Sequence, residues 1–110
     1  MEISEDIRGT ALVLSLTGRL DSNTASDLEH VLPARVEGQA ATVVDLSQVS
    51  YVSSAGLRVL LKGAKTARAS GHRLALSGLA PSVREVFDIS GFSTIFTIEP
   101  DVEAAIAAIA

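Results

Sequence analysis

Apolar and polar residues alternate from Thr10 to Leu20, with Leu12, Leu14 and Leu16 on one side and Val13, Ser15 and Thr17 on the other. A period of two predicts a strand with a mostly buried face. Glu2 to Ile7 alternates more weakly, and Arg8-Gly9-Thr10 supplies a turn, so the chain is expected to open with a hairpin. Gly18 to Asn23 is expected to break the second strand, and Ser22 or Asn23 to cap the helix that follows. Ala25, Leu28, Leu32 and Val36 keep helical spacing, but Pro33 predicts a kink or break, and Gly38 ends the segment. The run from Ala41 to Leu46 is largely apolar and closed by Asp45, as in a central strand buried on both faces.

A Ser-rich stretch from Ser47 to Ser53 reads as a loop. Leu57, Leu60, Leu61 and Ala64 then restore a helical period that ends at Ser70-Gly71-His72. Arg73 to Ser77 is a short strand. Pro81 opens a helix with Val83, Val86, Phe87 and Ser90 on its inner row, and Gly91 stops it. Thr94 to Ile98 is expected as a last strand. Asp101 caps a final helix with Val102, Ala105, Ile106 and Ile109 on one face. Strands alternating with helices require crossovers. The expectation is therefore one α/β domain over residues 1–110, with a mixed sheet of four to five strands and helices packed mainly on one face.

Composition narrows the function. The chain of 110 residues is 47% hydrophobic but only 4% aromatic, so aliphatic side chains must fill the core. A net charge of -4 and no Lys/Arg stripe beyond Arg58, Lys62, Lys65 and Arg68 argue against a nucleic-acid partner. That row reads as a solvated helix face. Cysteine is absent, which removes disulfides and thiol nucleophiles and is compatible with a reducing cytoplasm. The acidic N-terminus does not read as a signal peptide, and no run approaches a membrane span, so direct membrane insertion is not expected.

Enzymatic motifs are missing. There is no P-loop, no Gly-x-Gly-x-x-Gly and no Gly-x-Ser-x-Gly elbow. Asp45 lacks the acidic pair of a phospho-acceptor site and reads as a hydrogen-bonding anchor. His30 and His72 read as solvated side chains. No carboxylate cluster points to a metal, and no cofactor is expected. What remains is Ser53-Ser54 at the mouth of a helix, where free N–H groups and the helix dipole favour an anion. Two serines there are more often caps than switches, so both readings stand. Gly56 permits a close backbone approach.

The whole pattern resembles a STAS domain of the anti-sigma factor antagonist type. The resemblance rests on Leu16-Thr17-Gly18-Arg19-Leu20-Asp21, on Val43 to Ser47, on Val49-Ser50-Tyr51-Val52-Ser53-Ser54-Ala55-Gly56-Leu57-Arg58-Val59-Leu60, on Leu74 to Gly78, and on Val83 to Asp88 with Gly91-Phe92. It implies a non-enzymatic partner switch in the cytoplasm. The unphosphorylated protein binds an anti-sigma factor with serine kinase activity and so frees a sigma factor. Phosphorylation weakens the complex, and a serine phosphatase resets it.

The family site commonly reads Asp-Ser-Ser/Thr-Gly-Leu. Ser53 stands in place of the Asp, Ser54 in the acceptor place and Ala55 in place of the second hydroxyl residue. Ser54 is thus the implied phospho-acceptor and Ser53 the runner-up. The implied partner contacts are Asp21, Ser22, Asn23, Ser53, Ser54, Gly56, Arg58 and Lys62. STAS domains also serve as regulatory or structural subunits of lipid- or anion-transport complexes, which is the alternative.

Overall fold

In the computed structural model, which describes residues 1–110, five strands form one mixed sheet in the order β1-β2-β3-β4-β5. β1 (Glu2–Arg8) and β2 (Ala11–Leu20) are the opening hairpin. Gly9 supplies the positive φ of 65° that begins its two-residue loop. β3 (Ala41–Val52), β4 (Arg73–Ser77) and β5 (Thr97–Glu99) each lie parallel to the strand before. The crossovers are α1 (Ala25–Glu29) with α2 (Leu32–Gly38), then α3 (Ser54–Ser70), then α4 (Pro81–Ile89) with a 3-10 turn at Phe92–Thr94. α5 (Val102–Ile109) closes the chain.

The two sheet faces are packed unequally, as the strand alternation dictates. Leu12, Leu14 and Leu16 of β2, Val44 and Leu46 of β3 and Leu76 of β4 meet the inner rows of α1 to α4 in one core of 20 buried residues. The reverse face carries Ala11, Val13, Ala41, Val43 and Ala75, and only Ala105 and Ile109 of α5 complete its core. The expected mixed sheet with helices mainly on one face is observed.

Several local expectations change. β2 does not break at Gly18, because Gly18, Arg19 and Leu20 pair with Val49, Tyr51 and Val52. The supposed Ser47–Ser53 loop is mostly strand. β3 continues to Val52 by inserting an extra residue twice against β2, which keeps Val49 and Val52 buried. The expected strand at Thr94 begins only at Thr97. Phe92 and Phe96 have ring centroids 6.3 Å apart, whereas a strand would separate them by roughly 13 Å; the 3-10 turn brings both onto the core. Ser90 is the exposed C-cap of α4 instead of an inner-row residue.

The break expected near Pro33 falls at His30–Val31, since Pro33 is accommodated in the first turn of α2. His30 is exposed, but His72 is half-buried with Nδ1 2.8 Å from the Val36 carbonyl, so it joins α2 to the start of β4 instead of being solvated. Asp45 accepts from the Ser47 N–H at 3.0 Å, an anchor of the β3 irregularity instead of a loop.

Phe87 is fully buried and meets Phe96 edge-on, with ring centroids 5.6 Å apart. Truncation of Phe87 to Ala is expected to cost about 3–5 kcal/mol in urea unfolding. Ile89, 79% exposed two residues on, is expected to change stability by less than about 0.5 kcal/mol when cut to Ala.

Candidate functional site at the head of the third helix

The carboxyl ends of β2 and β3 meet the first turn of α3. The Ser53 N–H donates to the Leu20 carbonyl at 2.9 Å, which joins the two strand ends where α3 begins. Ser53 is extended (φ −89°, ψ 174°), and its Oγ accepts from the Gly56 N–H at 3.2 Å. Its own carbonyl takes the first helical bond, from the Leu57 N–H at 2.9 Å. This is an N-cap, so Ser53 is committed to satisfying an orphan donor. Ser54 follows as the first helical residue; it is exposed and takes no part in the cap.

Gly56 explains how the helix reaches this position. A Cβ there would lie 2.6 Å from Leu20 Cγ and 2.8 Å from the Leu20 carbonyl oxygen. The residue is buried. Its role is to let α3 sit against the end of β2, so it shapes the surface from beneath instead of presenting itself to a partner.

The β2–α1 loop is held by Asp21 instead of by Ser22 or Asn23. Asp21 Oδ1 accepts from the Asn23 N–H at 3.0 Å and the Thr24 N–H at 3.2 Å. The Thr24 hydroxyl donates to the Arg19 carbonyl at 2.6 Å and accepts from the Asp21 N–H at 2.9 Å. These donors, the Asn23 N–H foremost, hold the Asp21 carboxyl below its usual range, with Arg19 adding to the effect. Asp21 is thus half-buried and turned into its own loop, while Ser22 and Asn23 are exposed on the rim.

Arg58 and Lys62 follow Ser54 along α3, both exposed. Lys62 Nζ lies 3.7 Å from Glu29, whereas Arg58 is in no ion pair. The helix carries four cations and no Asp or Glu, so its outer face is basic in a chain of net charge -4. Ser54, Arg58 and Lys62 are thus exposed along α3, and Ser22 and Asn23 are exposed in the loop that leaves the β2 end to which Ser53 is bonded, while Asp21, Ser53 and Gly56 are spent on support.

One pair was missed from sequence. Arg19 and Tyr51 are register partners, and the Arg19 guanidinium sits 4.4 Å from the Tyr51 ring centroid. The Tyr51 side chain stays 41% exposed. The pair depends on the β2–β3 register, and Tyr51 lay in a run that read as loop.

The family model described as "Mlab, STAS domain" matches residues 3–99. This chain belongs to the STAS domain family. It is 44% identical over 109 residues to BtrV of Bordetella bronchiseptica, named as a candidate anti-sigma factor antagonist; the match covers 98% of this chain and 94% of that protein. It superposes with a TM-score of 0.89 on a crystal structure of an anti-sigma factor antagonist from Mycobacterium paratuberculosis, at 25% identity, covering 98% of this chain and 92% of that one. The phosphorylated form of the Bacillus cell fate determinant SpoIIAA shares the fold at a TM-score of 0.73 and 20% identity, over 97% of this chain and 98% of that one. No helix is long and apolar enough to cross a membrane.

Three substitutions separate the supports from the exposed hydroxyl. Gly56→Ala is expected to lose about 1–3 kcal/mol through overpacking against Leu20, and Ser53→Ala about 1 kcal/mol through the lost cap. Ser54→Ala should stay within about 0.5 kcal/mol of the parent. Chemical denaturation reads all three.

Asp21 adds a pH dependence. Its folded pKa is depressed, so its contribution is complete above the unfolded value of about 3.9 and is lost as pH falls through the lower folded value. Asp21→Asn should therefore flatten the acid limb of the stability profile below about pH 4, and an unchanged limb would contradict this role.

Proposed function

We propose that this protein is an anti-sigma factor antagonist acting as a phosphorylation-gated partner switch. Unphosphorylated, it binds an anti-sigma factor that is also a serine kinase, through the surface formed by Ser22, Asn23, Ser54, Arg58 and Lys62. That binding releases a sigma factor. The kinase transfers a phosphoryl group to Ser54, the complex weakens, and a serine phosphatase restores the binding form. The protein itself carries out no catalytic step, and the reading puts it in the cytoplasm with the transcription machinery.

The observation that carries this reading is the division of labour between adjacent serines. Ser53 is tied to the Gly56 N–H, and Ser54 is left exposed at the first position of a long helix whose charged side chains are all cationic. The near full-length likeness to BtrV supports the same reading. A phosphoserine adds about 1.5–2 negative charges. Placed in a contact surface without a cationic partner opposite, that charge costs several kcal/mol, on the order of a hundredfold or more in affinity. The fold need not rearrange.

Phosphosite mapping by mass spectrometry, after incubation with the cognate kinase and ATP, is expected to find phosphate on Ser54. Ser54→Ala should abolish incorporation and keep partner binding, while Ser53→Ala should still accept phosphate. Arg58→Glu should weaken the partner by about tenfold or more with little change in melting temperature. Phosphate confined to Ser53, or none with a confirmed kinase partner, would overturn the assignment.

A further inference from the structure

A concave surface lies toward the other end of α3. β5 pairs only with Ala75, Leu76 and Ser77, so Arg73 and Leu74 at the start of β4 pair with β3 on one side and have no strand on the other. The 3-10 turn and Ile95 stand beside them instead. The gap between this turn and the flank of α3 is a groove of about 570 Å³, within the range of small-molecule sites. Leu61, Ala64, Leu74 and Phe96 line its apolar part. All four also belong to the main core or pack on it, so the groove is a part of that core left open to solvent. Ile95, 46% exposed, forms part of the lip.

The charge around the groove has one sign. Lys65, Arg68 and Arg73 line it, and no carboxylate does. Lys65 and Arg68 are exposed and in no ion pair. Arg73 shares the sheet face of Ala75, and its guanidinium donates to the Ala108 carbonyl of α5 at 3.3 Å, on the reverse side. An apolar trough edged by two free cations, in a chain of net charge -4, is complementary to a ligand with an apolar body and an anionic end. A partner strand is a poor occupant, because β5 offers an edge of only three residues, about 10 Å. The groove is also remote from Ser54. Lys65 lies eleven positions further along α3, about 16 Å at the helical rise, so the head-group end of the groove is separate from the Ser54 hydroxyl.

We propose that this groove binds a single-chain anionic amphiphile: an alkyl chain lying on Leu61, Leu74 and Phe96, with a carboxylate or phosphate head held by Lys65 and Arg68. The apolar contacts supply affinity, and the cations select the sign of the head group. The proposal does not depend on phosphorylation of Ser54.

The test is titration of the isotopically labelled full chain with dodecanoate and with dodecyl phosphate, below their micelle concentrations, using dodecanol and dodecyltrimethylammonium as controls. Saturable amide shifts centred on Leu61, Leu74, Ile95 and Phe96 are expected with at least one anionic probe, and which of the two binds more tightly names the head group. Lys65→Ala combined with Arg68→Ala should weaken binding by about tenfold or more, as expected when charged hydrogen bonds are lost. Arg84→Ala, a cation removed elsewhere on the surface, should leave it unchanged. Ile95→Ser, an exposed change that spares the core, should weaken binding without altering the fold. Non-saturating or scattered shifts, equal binding of dodecanol, or an unchanged affinity in the double variant would each overturn the proposal.

Discussion

The contact between Gly56 and Leu20 is the constraint on which the functional surface depends. Leu20 ends β2, is fully buried, and gives its carbonyl to the Ser53 N–H. Gly56 brings α3 so near that no side chain fits between them. Two strand ends and a helix start therefore share one point with almost no freedom. Everything exposed there, from Ser22 through Ser54 to Arg58, inherits its position from that packing. A switch of this kind requires a reactive hydroxyl at a fixed place, and rigidity comes from overlapping van der Waals surfaces more than from any single hydrogen bond.

Around that point the chain separates support from display. Asp21 and Thr24 spend their polar atoms on each other and on nearby backbone, and Ser53 spends its hydroxyl on the helix cap. What stays free is Ser54 and the unpaired cations Arg58, Lys65 and Arg68 of the same helix. The arrangement suits regulation by charge, because a phosphate at Ser54 enters a surface whose fixed charges along α3 are all positive. Such a modification changes what the surface can bind without having to move the backbone that carries it.

The same helix borders two different surfaces because its neighbours differ along its length. At its head, α3 meets the paired ends of β2 and β3. Near its tail it faces a sheet edge where β5 has not yet begun. The alanine-rich reverse face needs only α5 to cover it, so α1 to α4 all compete for the other face. The sheet edge beside the tail of α3 is where that coverage ends.

The sequence by itself determined the element order, the mixed sheet and the cores of the helices, because periods of 2 and 3.6 residues report which side of an element is buried. It also located Ser53 and Ser54 at a helix start, since capping is a local event. It could not separate their roles, because a cap is decided by one side chain's orientation and the other's exposure. The extension of β3 through Val52 and the Arg19–Tyr51 stack depend on register with a strand about thirty residues away. Those pairings obey long-range packing, not local pattern. The short β5 goes with the turn before it, which brings Phe92 against Phe96 and Phe96 against Phe87. Tertiary structure decided these features because each is a choice between locally acceptable conformations, made by contacts that the chain brings together only on folding.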